Sequence, residues 1–127
     1  MSKFNSLNEV LQESINKRYA VGAFNVISHD MVDEILNASA EKSVPVILSV
    51  AEVHFKYFDL DKFIKYIKHR VSQHYEPVVL HLDHGQSFQT AMRAIHLGFS
   101  SVMFDGSTLP FEENIKKTSQ VVEAAHA

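Results

Sequence analysis

Pro77-Val78-Val79-Leu80-His81-Leu82-Asp83-His84-Gly85 opens on proline, runs through branched apolar residues and ends in Asp-His-Gly. Proline suits the first residue of a strand. The Val and Leu side chains fill both faces, the pattern of a strand covered on two sides within a parallel sheet. Gly85 permits a bend. Phe88, Ala91, Met92 and Ile95 then recur at helical spacing, and Gly98 suits a left-handed C-cap. SSVMF at 100–104 reads as the next strand. The segment is therefore one strand–helix–strand unit.

The same unit extends in both directions. AVGAFNVI at 20–27 and PVILSVA at 45–51 are apolar runs of the same kind, both expected to be covered on two faces. Met31, Val32, Ile35, Leu36 and Ala40 line a helix between them, starting near Ser28 or Asp30. Asp59 caps a further helix with Leu60, Phe63, Ile64, Ile67 and Val71 on its apolar side. A last helix runs from about Pro110, with Glu112 and Glu113 in its first turn. Ahead of everything, Ser6-Leu7-Asn8-Glu9 is a capping box that opens a leading helix. One leading helix and four strand–helix units at intervals of about 30 residues imply parallel strands with right-handed crossovers. A small doubly wound sheet and half of a (β/α)8 barrel both satisfy this order, and periodicity does not choose between them.

Composition narrows the function. The chain has 127 residues, a net charge of −3 and no cysteine, which leaves no disulfide framework, cysteine nucleophile or thiolate metal site. A complete (β/α)8 barrel needs about 250 residues. The N-terminal stretch lacks the apolar core of a signal peptide, and no apolar run approaches a membrane span. A cysteine-free chain without these segments suits the cytoplasm. An acidic balance without a Lys/Arg stripe argues against nucleic acid as the main partner. No Gly-rich phosphate loop is present.

In either architecture chemistry gathers at the carboxyl ends of the strands. Those ends carry Asn25, Ala51-Glu52, Asp83-His84-Gly85 and Asp105-Gly106-Ser107. Alternation puts His81 and Asp83 on one face, and a bend at Gly85 brings Asp83 and His84 to one rim. A neutral imidazole is a zinc ligand, and an adjacent carboxylate can act as general acid/base. The plainer reading is a sheet histidine beside a helix-capping aspartate. Asp105 either binds metal or polarises a histidine, or forms an Asx-turn. Asn25 is either a site residue or a satisfied core amide. His29 and His54 follow strands and can reach the same rim. His69, His74 and His96 are expected on helix surfaces, with His126 at the chain end.

The residues now quoted carry a resemblance. YAVGAFN at 19–25, SVPVIL at 43–48, HLDHG at 81–85, GFSSVMFDGS at 98–107 and PFEEN at 110–114 occur in order along essentially the whole chain. Together they resemble the class II, zinc-dependent ketose-bisphosphate aldolases, which act on fructose or tagatose 1,6-bisphosphate. The HLDHG and SVMxDGS pair is the specific part.

The resemblance implies an α/β fold, a (β/α)8 TIM barrel. Residues 1–127 would be the N-terminal half of its single domain, a half-barrel that stops before the fifth strand. It implies that the leading helix closes the bottom of that barrel. It implies that Asp83 is the general acid/base at the C4 oxygen, that His84 is a zinc ligand, and that Asp105 belongs to a second metal position. Asn25 and Ala51 match substrate-binding positions. Zinc would be the catalytic cofactor, stabilising negative charge as the C3–C4 bond breaks; a second divalent metal or a monovalent cation is the further implied ion. A phosphorylated sugar is the implied partner, with a homo-oligomer, dimer or tetramer, in the complete enzyme.

Two departures stand out. Ala51-Glu52-Val53-His54 occupies the place of the family's Ser-Glu-Gly-Ala. Ser49 shares the strand face of position 51 but lies about 7 Å further down the strand. The family's later half supplies two more zinc histidines and the phosphate-binding glycines, and no counterpart lies within these 127 residues. A catalytically inactive half-barrel acting as an association module is therefore the alternative expectation, because such a piece exposes sheet edges and an apolar interior.

Overall fold

The structure is a computed structural model and describes residues 4–127. Its elements are α1 (Leu7–Lys17), β1 (Gly22–Asn25), α2 (His29–Lys42), β2 (Val46–Ala51), a 3-10 helix (Glu52–Tyr57), α3 (Leu60–Ser72), β3 (Val78–Gly85), α4 (Phe88–Leu97), β4 (Ser101–Phe104) and α5 (Phe111–His126). All strand pairs are parallel, in the order β1-β2-β3-β4. A doubly wound sheet reverses its strand order at a switch point. This sheet does not, so it is a barrel wall: four strand–helix units of a half TIM barrel.

Local signals set the helix ends. Ser6 and Glu9 form the reciprocal capping box of α1. Ser28, Asp59 and Ser87 each accept an amide hydrogen at the start of α2, α3 and α4. Gly98 ends α4 at φ 95°, a left-handed value that glycine adopts without a Cβ clash.

Side-chain alternation splits the core into two layers. Val46, Leu48 and Val50 of β2 and Val78, Leu80 and Leu82 of β3 face the helices, where they meet Leu36, Ile64, Ile67 and Ala91. Each fully buried Leu or Ile contributes about 1.5–3 kcal/mol. On the opposite face, Ile47 and Val79 pack against Val10, Leu7 and Val21. Helix α1 thus covers the inner face at the amino ends of the strands, as a bottom plug does. Asn5 ties it to β3 through two hydrogen bonds with Val78.

The run at 20–27 departs from its expected double coverage. Only Gly22–Asn25 forms a strand, and Ala23, Phe24 and Asn25 are exposed. β1 is an edge strand, paired with β2 alone among the described residues, and α2 leans toward β2. His74 departs too. It lies past the end of α3, half-buried, with Nε2 3.0 Å from Ser39 Oγ.

Candidate active site

The inner face changes character toward the carboxyl ends of the strands. Asn25, Ser49, His81 and Ser101 stand side by side in register across β1 to β4. This polar row sits one layer above the apolar contacts of α1. His81 Nδ1 lies 2.7 Å from Ser101 Oγ, and burial pushes the His81 imidazole below its usual pKa.

Above that row β3 bulges. Leu82 pairs with Val102 and Gly85 with Phe104, so Asp83 and His84 together oppose the single residue Met103. A bulge re-aims the side chains it carries. The left-handed residue that makes the bend is His84 itself, at φ 50°. That conformation costs a non-glycine residue about 1–2 kcal/mol. Gly85 serves a different need from the expected bend. A Cβ on it would lie 2.7 Å from Leu82 Cδ2 and 3.0 Å from the Met103 carbonyl oxygen. Its value is close approach of β3 to β4.

The bulge brings three ionisable groups to one rim. The His84 ring is 56% exposed; its Nδ1 is 2.8 Å from Asp105 Oδ2, and its Nε2 is 3.7 Å from Asp83 Oδ1. Asn25 donates from Nδ2 to the other Asp83 oxygen at 3.0 Å. Asp105 divides its two oxygens: Oδ2 meets His84, and Oδ1 accepts the Ser107 amide at 3.0 Å. Both sequence readings of Asp105, Asx-turn and histidine partner, therefore coexist. Hydrogen bonds from Ser107 and then from His84 hold the Asp105 carboxyl down at about 2. The Asp105 hydrogen bond, followed by the Asp83 charge, raises the His84 pKa.

Ala51 is buried at the end of β2, in register with Asp83, and offers no hydroxyl there. The next residue, Glu52, accepts the Gln86 amide hydrogen at 2.5 Å and the Thr90 hydroxyl at 2.8 Å. It staples the end of β2 to the start of α4, beyond the HLDHG segment. This anchoring role escapes sequence reading, because nothing in the spacing of 52, 86 and 90 signals it. His29 does not join the rim; its ring stacks on Tyr66 at 3.8 Å. His54 Nδ1 is buried without a hydrogen-bond partner among the described residues. His84 alone among the histidines pairs with the rim carboxylates.

The residues present fit one donor of a metal site with its orienting partner. Asp105 holds Nδ1, which leaves Nε2 to face the rim, the arrangement by which a carboxylate fixes a ligating imidazole. Among the described residues there is no group of three His, Asp or Glu placed to hold a metal ion.

A half-barrel wall with an Asp-His pair and a second aspartate on its strand ends carries these groups where (β/α)8 barrels gather their functional residues. The profile of class II fructose-bisphosphate aldolases matches residues 5–127, and the chain belongs to that family. A fructose-bisphosphate aldolase of Geobacillus stearothermophilus is 43% identical over 125 residues, covering 96% of this chain and 44% of the relative. One from Helicobacter pylori (strain ATCC 700392 / 26695) is 38% identical over 120 residues, covering 94% and 39%. The crystal structure of the YdjI aldolase from Escherichia coli K12 superposes with a TM-score of 0.91 at 29% identity, covering 97% of this chain and 48% of that one. The chain thus spans less than half the length of these relatives. No helix among the described residues is long and apolar enough to cross a membrane.

Proposed function

We propose that this chain supplies the acid/base half of a zinc-assisted class II aldolase site. The reaction is reversible cleavage of a ketose 1,6-bisphosphate, fructose or tagatose, to dihydroxyacetone phosphate and glyceraldehyde 3-phosphate in a complete barrel. The observation that carries the reading is the β3 bulge, which presents Asp83 and His84 to one rim with Asn25 and Asp105 holding them. Asp83, steadied by Asn25, exchanges the proton of the C4 hydroxyl as general acid/base. His84 offers Nε2 as a zinc ligand, and Asp105 orients its ring and borders a second position for a divalent or monovalent cation. Zinc, when bound, supplies Lewis-acid stabilisation of negative charge developing on the ketose. Asn25 and Ala51 line the substrate. The site takes a phosphorylated sugar in the cytoplasm, and the complete enzyme is a homo-oligomer.

The test is a chimera in which residues 4–127 replace the matching region of the Geobacillus relative. Zinc-dependent cleavage of either bisphosphate is expected. Asp83→Asn lowers its kcat by about a hundredfold or more. A folded, zinc-loaded chimera without cleavage contradicts the proposal. The alternative, an inactive half-barrel that works by association alone, is favoured by the single histidine on the rim and the absence of a three-donor group among the described residues.

A further inference from the structure

The groups on the rim are each held by a residue from another element. Asn25 holds Asp83, Asp105 holds the His84 ring, and Glu52 ties the end of β2 to α4. Asp105 itself lies in the turn Asp105-Gly106-Ser107, where its Oδ1 accepts the Ser107 amide hydrogen at 3.0 Å. The next backbone bond runs from the Leu109 amide to the Gly106 carbonyl at 2.9 Å and leads the chain into α5. Gly106 is common to both turns, so whatever fixes Gly106 fixes the aim of Asp105.

Gly106 is buried, and its φ is not positive. Its backbone conformation is open to other residues, and a glycine there adds only unfolded-state entropy. The space around it is the constraint. A Cβ on Gly106 would collide with Asn114 Oδ1, lie 2.7 Å from Asn114 Cγ and 3.0 Å from Phe104 Cε1. The Asn114 side chain, from the start of α5, thus occupies the place of the missing methyl group. Thr118 is four residues further along, on the same helix face. It donates its hydroxyl hydrogen to Asn114 Oδ1 at 3.0 Å and holds that side chain in place. Asparagine is a poorer helix former than alanine. Two residues that local propensity does not favour therefore meet in one contact behind the rim, the kind of local exception found at functional sites.

We propose that Asn114, held by Thr118, is a positioning residue for Asp105. It fixes the Asp105–Ser107 turn so that the carboxylate keeps His84 protonated on Nδ1 and leaves Nε2 bare toward the rim. The contacts run from Thr118 through Asn114, Gly106 and Asp105 to His84, joining α5 to the bulged end of β3. The use made of the bare Nε2 rests on the reading of His84 as a zinc donor; the positioning itself does not.

Nitrogen-15 imidazole shifts of the metal-free 127-residue chain, in alkaline buffer where the ring is neutral, report the His84 tautomer. The Nδ1–H form is expected, and Asp105→Ala, the reference for a lost partner, moves it toward the Nε2–H form. Asn114→Ala and Thr118→Val are expected to move it the same way. Both also speed exchange of the Ser107 amide about fivefold, the weight of one net hydrogen bond. Amides of the fully buried Val50 and Ile67 keep their wild-type rates, which separates lost positioning from a general loss of stability. Thr118→Ser retains the hydroxyl and the wild-type tautomer. Gly106→Ala lowers the urea midpoint beside Asn114 and lowers it less in the Asn114→Ala background, where the colliding side chain is gone. An Asn114→Ala chain with wild-type tautomer and Ser107 exchange overturns the proposal, and so does acceleration that reaches Val50 and Ile67 equally. These readouts are taken without metal, so their failure is distinct from a failure of His84 to respond to added zinc, which contradicts the zinc reading alone.

Discussion

His84 Nδ1 and Asp105 Oδ2 lie 2.8 Å apart, joining the bulged end of β3 to the end of β4. The bond fixes the ring of a residue held in the left-handed region, and so offsets part of that conformational cost. It also sets the protonation of both partners. The His84 pKa lies above 6.5, and the Asp105 carboxyl lies at about 2 instead of 3.8.

The first prediction concerns that pair in the metal-free chain. His84 contributes stability that is complete below pH 6.5 and lost as pH rises through its raised folded value. Asp105 contributes stability that is complete above 3.8 and lost as pH falls through about 2. The pair therefore contributes most between these limits. Asp105→Asn removes the charge partner and returns the His84 titration toward 6.5, measured by imidazole NMR.

His74 behaves oppositely. Ser39 donates its single hydroxyl proton to the Val44 carbonyl at 2.6 Å, so it accepts from His74 Nε2–H. Burial, the leading cause, lowers the His74 pKa below 6.5. The unfolded chain then binds a proton that the folded chain refuses, and stability falls as pH drops from 6.5 to the folded value. Half-buried His81, whose pKa burial also lowers, adds to the same acid limb. His74→Gln flattens that limb in urea midpoints measured against pH.

Gly85→Ala places a Cβ against Leu82 and the Met103 backbone. Overpacking of this kind costs about 1–3 kcal/mol. The expected signature is a lower urea midpoint together with changed amide shifts at His84 and Asp105. A substitution that leaves both unchanged refutes the close-approach account.

Ile67 is fully buried between α3 and the sheet. Ile67→Ala is expected to cost about 2–5 kcal/mol in denaturant unfolding. Ile15→Ala, at a solvent-exposed position on α1, should change stability by less than about 0.5 kcal/mol.

Much of this molecule is legible in its residues. The capping box of α1, the apolar stripe of α3 and the Gly98 cap are local signals, and local physics decides them. The clustering of Asn25, Asp83, His84 and Asp105 follows from strand ends sharing one rim. What stays hidden depends on neighbours far apart in the chain. The bulge is a register property of β3 against β4, so the strand pattern suggests a bend at Gly85 while the turn falls on His84. The exposure of Phe24 depends on what flanks β1, which an apolar run does not report. His74 looks like a surface residue until Ser39 of α2 folds against it.

The central claim is that the β3 bulge presents His84 Nε2 as a metal donor on a rim shared with Asp83. Zinc titration of the nitrogen-15-labelled chain, followed through the histidine imidazole resonances, tests it most directly. The account predicts that His84 Nε2 shifts ahead of every other histidine, and that Asp105→Asn weakens the response. Zinc-dependent shifts at His69, His96 or His126 with His84 unmoved would contradict it.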